Sequence, residues 1–380
     1  MTNSGTPSLL IWMNMPSHHQ SAFFQALRDI GINLKVCYYS ELSDKRRALG
    51  WEEMKTLPQG EMFFDPEVSS LNSIAGWRHS LHIIPGYGER FLRQLVSTLS
   101  RANIPWMHWS EAARPGLRWW ASFPIKSWYA RMVNKHAVAA LAIGEMARKD
   151  FLDWGIRDEK ITFLPYAVRG LCHNGERDDE VSEFGRRFKV LFVYVGELCY
   201  RKGIDLLLKA FAHIVRSNPS MGLVLVGKDS GDSNYRELAA REKLIDNVLF
   251  RGPIKASCIA SVLGVGGVLV LPSRFDGWGM VINEAASVGM ALIATDACGS
   301  AHHLIRDGEN GFKVPAGSIS ALEERMMLYC QAPELIQQHG LRSLEIFREF
   351  TPERNAQRLL EILDRARQTV ARQEGLHQCE

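Results

Sequence analysis

A chain of 380 residues, at roughly 150 residues per domain, is expected to hold two or three domains. Apolar residues make up 46% and charged residues 23%, a globular composition that excludes a disordered or fibrous chain. The formal net charge of +3 is too small a surplus for a general nucleic-acid binder, so no nucleic-acid partner is expected.

Short apolar or β-branched runs recur along the first half at 9–13, 34–39, 81–84, 104–108, 138–143 and 161–164. They continue through the second half at 189–195, 222–226, 247–250, 267–271, 291–294 and 311–314. Helical periodicity separates them, as at 21–30, 90–100, 145–154, 204–217, 235–243 and 280–288. Alternating strands and helices predict an α/β protein with parallel sheets covered on both faces, and twelve strands suit two doubly wound sheets of about six. The polar, aperiodic stretch 171–187 reads as a linker between a domain over 1–170 and a second over 188–350. After Thr351, an N-cap candidate followed by Pro352, a helix is predicted over 352–371, with 351–380 expected to cross back to the first domain. Ligands of such sheets bind outside the carboxyl ends of the strands, here expected in a cleft between two domains.

Seven cysteines stand singly with no CxxC pair, so neither a disulfide framework nor a structural zinc site is expected. The first sixteen residues place no basic stretch ahead of their short apolar run, so no leader peptide is expected. The longest apolar stretch, 259–271, is interrupted by glycine and far short of about 20 residues, so no membrane span is expected. Pro85-Gly86-Tyr87-Gly88 offers a GxG after a strand, but Phe91 stands where a dinucleotide fingerprint needs its third glycine. Gly264 to Gly267 precedes a strand and not a helix, the wrong polarity for phosphate. No GxxxxGK[ST], DxD or HExxH occurs, so neither a P-loop nor a metal-dependent site is expected, and no cofactor is implied.

Three segments of the second half carry chemistry. In the first, a strand ends at Gly196, a loop carries Arg201 and Lys202, and a helix opens at Gly203. Two cations and the N–H groups of a helix start suit a diphosphate, although a solvated Arg-Lys pair at a loop tip fits the same spacing. The second segment is Pro272-Ser273-Arg274-Phe275-Asp276-Gly277-Trp278-Gly279-Met280, continuing to Glu284. Its glycines permit close backbone approach, and Glu284 interrupts an apolar helix face, where an unpaired carboxylate is unfavourable. Solvated or salt-bridged acids are the other reading. The third segment, Thr295 to Ala301, ends a strand in small residues.

Together these segments resemble the retaining GT-B glycosyltransferases of family 4, the glycosyl transferases group 1 type. The family's strand-glycine-loop-KG pattern stands here at Gly196 to Gly203, and its PSxxEGxGxxxxEA pattern at Pro272 to Ala285. Its IxDGxNG turn stands as Ile305-Arg306-Asp307-Gly308-Glu309-Asn310-Gly311, and the likeness runs over about 189–316. The resemblance implies two Rossmann-like domains facing a central cleft. It implies that Lys202 and Arg201 bind the donor diphosphate and stabilise the leaving charge, and that Glu284 accepts ribose hydroxyls. Asp276 is implied beside the donor sugar, with Gly196, Gly277, Trp278, Gly279 and Met280 completing the donor site. Two positions depart from the family. Asp276 is one methylene shorter than the usual glutamate, and Glu197 replaces the arginine of a common Gly-Arg-Leu.

In the first half, the loop after the first strand holds His18 and His19, candidates to donate to sugar hydroxyls or phosphate, unless the loop only caps a helix at Ser21. His108 ends the fourth strand, where relatives of the family often carry an active-site histidine, with Glu111 beyond it as an acceptor candidate. Residues 113–136 hold Arg114, Arg118, Lys126, Arg131 and Lys135 with no acid, interleaved with Trp119, Trp120, Phe123, Trp128 and Tyr129. Cations among aromatics suit an anionic membrane surface, with core packing as the alternative. Membrane contact is assigned to Arg118, Trp119, Trp120, Lys126, Trp128 and Arg131.

The expected function is metal-independent, retaining transfer of a hexose from a UDP- or GDP-linked sugar to a sugar or lipid-linked acceptor, in exopolysaccharide or lipopolysaccharide assembly. A cytoplasmic protein is expected, peripheral on the inner membrane. A nucleotide-sugar epimerase of the same fold and a non-catalytic membrane-associated binder of sugar nucleotides are the alternatives.

Overall fold

Uninterrupted runs of Val, Ile and Leu have no solvent-facing side, and the chain folds them into parallel sheets with helices on both faces. The computed structural model describes residues 8–47, 56–171 and 177–376, without the side chains of His18, Lys45, Arg118 and 367–376. The described residues divide into two compact units, one from 8–42, 56–169 and 350–376, the other from 43–47, 170–171 and 177–349.

The first unit begins with β1 (Ser8–Met13), α1 (His18–Asp29) and β2 (Asn33–Tyr38). A single turn, α2 (Asp44–Arg47), groups with the second unit. Then come β3 (Glu61–Phe63), β4 (Leu81–Ile84), α3 (Arg90–Arg101) and β5 (Trp106–Ser110). Helices α4 (Leu117–Ala121) and α5 (Phe123–His136) lead to β6 (Ala140–Ala142), α6 (Glu145–Trp154) and β7 (Ile161–Phe163). The seven strands pair in parallel in the order β3-β2-β1-β4-β5-β6-β7.

The second unit opens with α7 (Asp179–Gly185), β8 (Val190–Val195), α8 (Ile204–Ser217), β9 (Met221–Val226), α9 (Tyr235–Arg241) and β10 (Val248–Gly252). It continues through α10 (Ile259–Val265), β11 (Val268–Leu271), α11 (Met280–Ser287), β12 (Ala291–Thr295), α12 (Ala301–Leu304), β13 (Gly311–Val314), α13 (Ile319–Gln331) and α14 (Glu334–Phe347). Its order is β10-β9-β8-β11-β12-β13, again all parallel. The order reverses between β8 and β11, which opens a crevice at their carboxyl ends. Strands β9, β11 and β12 are buried throughout, and α8 packs with Leu207, Leu208, Phe211 and Ile214 inward.

The last helix, α15 (Pro352–Leu376), belongs to the first unit, where Leu359, Ile362 and Leu363 are buried and Asn355 Nδ2 donates to Pro165 O at 2.5 Å. Thr351 Oγ1 accepts from Arg354 N at 3.3 Å, the cap read from sequence. Among the described residues no helix is long and apolar enough to cross a membrane.

Three differences from the sequence reading have local causes. Strand β3 escaped it because the strand is three residues long and starts at Glu61, buried only because Arg28 (2.8 Å) and Tyr38 (2.6 Å) pair its carboxylate. The stretch 171–187 is not all linker: Asp178 caps α7 by accepting from Val181 N at 3.1 Å, and Val181 and Phe184 are buried. Residues 172–176 of it lie outside the described residues. Finally, α1 starts at His18 after Ser17, so Ser21, expected as the cap, sits within the first turn with its Oγ donating to Ser17 O at 3.1 Å.

Candidate functional site

The loops that leave β8 and β11 meet at the order reversal of the second sheet, and backbone contacts fix their meeting before any side chain is considered. Gly203 adopts φ +74°, and a Cβ there would lie 2.1 Å from Pro272 O, so only glycine lets the two loops touch. A Cβ on Gly299 would likewise lie 2.1 Å from Gly277 O, which presses the loop after β12 onto the segment before α11. Asp276 N donates to Ala297 O (2.9 Å), Gly299 N to Asp276 O (3.1 Å) and Ser300 N to Trp278 O (2.7 Å). Three strand-end loops are thereby tied into one floor.

Charged side chains complete the junction. Lys202 and Asp276 form an ion pair, both side chains largely buried. Arg201 Nη1 donates to Phe275 O at 3.0 Å, and Arg201 O accepts from Arg274 N at 2.8 Å. The two cations and Asp276 expected together from sequence are therefore brought together, at the start of α8 whose first N–H groups have no partner within the helix. Gly196, at the end of β8, lies under the Tyr194 hydroxyl, which donates to Glu197 O at 2.9 Å and holds that turn. Leu198 N donates to Lys228 O (2.8 Å), so the Glu197 segment is also anchored to the loop after β9.

Glu284 lies on α11, half-buried, four residues after Met280 opens the helix and Gly279 caps it. Burial pushes its carboxyl up to about 7. Trp278 differs from expectation. Its indole is 1% exposed, donates to Asn283 Oδ1 at 2.9 Å and stacks on His303 at 5.7 Å, so the ring braces the floor and does not face a ligand.

The sequence reading missed Arg274 and Asp205. Arg274 donates through Nη1 and Nη2 to the two carboxylate oxygens of Asp205, each at 2.7 Å, lies 3.7 Å over the Tyr200 ring, and donates to Tyr200 O at 2.6 Å. This planar clamp fastens the cation loop to the β11 loop. Its only sequence signal is an arginine two residues ahead of Asp276. Asp232 accepts from Tyr200 N (2.8 Å) and Tyr235 Oη (2.9 Å); burial pushes its pKa up, but these bonds outweigh it and hold the carboxyl below the usual range.

The first unit corrects several assignments. His108 is fully buried, with Nδ1 3.2 Å from Tyr129 Oη, Nε2 2.9 Å from Ser110 Oγ, and its ring 4.8 Å from that of Phe151. Burial lowers its pKa to about 3, so the ring sits neutral in the core, away from the strand-end position expected of a ligand contact. His19 lies half-buried on the first turn of α1, and Glu111 half-buried just past β5; the side chain of His18 lies outside the described residues.

The segment 113–136 is α4 and α5, and only part of it faces solvent. Lys126 is 1% exposed, its ammonium 3.9 Å over Trp119, 5.2 Å over Trp154 and 3.8 Å from Asp150, with no hydrogen-bond partner. Burial lowers its pKa against the pull of Asp150 and Asp153. Trp119 Nε1 donates to Asp150 Oδ1 at 2.7 Å, and Trp128 packs half-buried against the core. Lys126 is therefore enclosed and unavailable for membrane contact, held by a cation–π cage in which Trp119 is half-buried. Trp120 is 69% exposed and Leu117 90%, and Arg131 is exposed too; the Arg118 side chain lies outside the described residues. Among the described residues no group of three or more His, Cys, Asp or Glu is placed to hold a metal ion.

The family described as Glycosyl transferases group 1 matches residues 177–341, which contain the whole β8/β11 junction. The chain is 25% identical over 217 residues to alpha-D-kanosaminyltransferase of Streptomyces kanamyceticus, covering 56% of each chain. It is 30% identical over 157 residues to D-inositol 3-phosphate glycosyltransferase of Streptomyces griseus, covering 39% of this chain and 33% of that one. The matches thus span about half, or a third, of these relatives' lengths. Among solved structures, Anabaena HepE in complex with UDP superposes with a TM-score of 0.74 at 17% identity, over 95% of this chain and 100% of that one. The likeness establishes the fold as GT-B, with two doubly wound Rossmann-like units. Over residues 177–341 the chain is similar to the glycosyl transferases group 1 family.

Proposed function

We propose that this chain transfers a hexose from a UDP- or GDP-linked sugar to a saccharide or lipid-linked saccharide, with retention of anomeric configuration and without a metal ion. The observation that carries this reading is the placement of Lys202, Arg201 and Asp276 at the start of α8, on a floor shared with α11 and Glu284. Support for a uridine nucleotide comes from HepE, whose structures contain UDP, UDP with glucose, and UDP-glucose.

In this reading, the C1–O bond of the donor breaks toward an oxocarbenium-like state while negative charge collects on the leaving diphosphate. The Lys202 ammonium, the Arg201 guanidinium and the α8 N–H groups stabilise that charge from fixed positions. Asp276 holds Lys202 until the diphosphate replaces it, and then lies beside the donor sugar. Glu284 accepts the ribose hydroxyls. Gly277, Gly279 and Met280 supply backbone at the start of α11. Acceptor recognition falls to the first unit, with His19 and Glu111 as its candidates. A cytoplasmic protein resting on an anionic membrane surface through Trp120 and Arg131 completes the reading, and suits a lipid-linked acceptor in polysaccharide assembly.

The test incubates purified protein with UDP-, GDP- and ADP-sugars and with saccharide and lipid-extract acceptors, following nucleoside diphosphate release and the anomer of the product. An α-linked product from an α-linked donor, lost in Lys202→Ala, is the expected result. Interconversion of the free donor sugar would make the protein an epimerase instead, and binding without turnover would make it a non-catalytic binder.

A further inference from the structure

A groove of about 770 Å³ runs along the outside of the first unit between α3 and α5. Three arginines of α3, Arg90, Arg93 and Arg101, line it, opposite Ile125 and Trp128 of α5, and no carboxylate does. Arg90 and Arg101 are eleven positions apart, three helical turns, so they project from one face about 16 Å apart along the axis. Both are exposed, and neither takes part in an ion pair among the described residues. Arg93 is held in place, its Nη1 donating to Tyr87 O (2.6 Å) and Gly88 O (2.7 Å). At one end of the groove α5 begins at Phe123, whose ring lies 5.9 Å from Trp119, which in turn meets the exposed Trp120 at 5.0 Å.

We propose that this groove is a docking surface for the phosphate headgroups of an anionic phospholipid leaflet. The spacing decides the occupant. A single phosphate is far smaller than the distance between Arg90 and Arg101, whereas a row of lipid phosphates offers a partner to each. The apolar wall of Ile125 and Trp128 would meet the glycerol and upper acyl region between those phosphates, and Trp120 sits where an indole favours the interface. The cations that line the groove are those of α3, which lie outside the stretch 113–136. This inference rests on the membrane-side reading proposed above and locates it.

The test is co-sedimentation of the full chain with vesicles of phosphatidylcholine alone and of phosphatidylcholine with phosphatidylglycerol, at low and raised salt. Wild type binds only the phosphatidylglycerol vesicles and is released as salt rises. The double variant Arg90→Gln/Arg101→Gln binds them about thirty-fold more weakly, while its melting temperature and its affinity for UDP stay those of wild type. Equal vesicle binding by that variant overturns the proposal. If Trp120→Ser abolishes binding while Arg90→Gln/Arg101→Gln does not weaken it, the groove is wrong but the membrane-side reading stands; if wild type binds neither vesicle, both fall. Displacement from vesicles by inorganic phosphate beyond the effect of chloride at equal ionic strength would assign the groove to a free anion and overturn the leaflet.

Discussion

In the second unit, β8 and β11 run into loops that carry Arg201, Lys202, Arg274 and Asp276; across the order reversal Lys202 pairs with Asp276, Arg201 donates to Phe275 O and Arg274 to Asp205. In the first unit, whose sheet has the same order at its core, the histidines of β4, at the reversal, and of β5, one strand further, turn inward instead. His82 on β4 accepts from Trp12 Nε1 at 3.1 Å and reaches Trp77 O at 2.8 Å, and His108 on β5 is enclosed by Tyr129, Phe151 and Trp154. Strand order thus fixes where a crevice opens, and the residues just beyond the strand ends decide whether it can hold charge. A histidine within a buried strand is a core residue even when it stands close to that end.

The contrast can be broken most forcefully at Lys202. If the ammonium stabilises the leaving charge, Lys202→Ala lowers kcat for donor turnover about a hundred- to a thousandfold, with the fold intact by circular dichroism. A loss below tenfold would remove Lys202 from the chemistry. Glu284 comes next. Its carboxyl titrates near 7, so the ionised acceptor predominates only above that pH, and donor affinity should rise as pH increases through 7. Glu284→Gln, unable to ionise, should flatten that profile and weaken donor binding about tenfold; an unchanged pH profile would contradict the assignment.

A smaller effect is expected at Arg274. Arg274→Lys keeps a charge but loses the planar two-bonded clamp on Asp205 and the stacking on Tyr200, so donor affinity should fall a few-fold and the melting temperature slightly, with kcat little changed. A kcat loss as large as that of Lys202→Ala would make Arg274 part of the chemistry. The smallest effect on catalysis belongs to the first unit. His108→Gln should leave kcat and its pH profile unchanged while destabilising the fold by about 1–3 kcal/mol, read by denaturant titration.

Acid titration sharpens the same contrast. His82 and His108, lowered by burial to about 4 and about 3, bind fewer protons in the fold than in the unfolded chain. Their contribution to stability is present above about 6.5 and is lost as pH falls through that range toward those values. Glu284 has the opposite sign: raised from 4.5 to about 7, it binds more protons in the fold, so stability falls as pH rises across that window. Replacing Glu284 by Gln should remove the second slope and leave the first.

Much of this architecture was legible because parallel strands buried on both faces must be continuous apolar runs, as at 190–195 and 268–271, and because Gly203 stands where the loop after β8 touches Pro272 O. The pairing of Lys202 with Asp276 could be anticipated from the two segments, since both follow strands beside the reversal. What escaped the sequence depends on partners distant in the chain. Trp278 belongs to the motif but turns inward to Asn283, and Lys126 looks like a surface cation until Asp150, Trp119 and Trp154 enclose it. The arginines of α3 lay outside the aromatic stretch that drew the membrane reading, and only the packing of α3 beside α5 sets them next to Trp128.

The central claim is that the β8/β11 junction recognises a diphosphate. Calorimetric titration with UDP and GDP, each against its nucleoside, measures that recognition separately from base and ribose. The account predicts that wild type binds one diphosphate at least tenfold more tightly than the matching nucleoside, and that Lys202→Ala abolishes most of this preference. An undiminished preference in Lys202→Ala, or none in wild type, would contradict it.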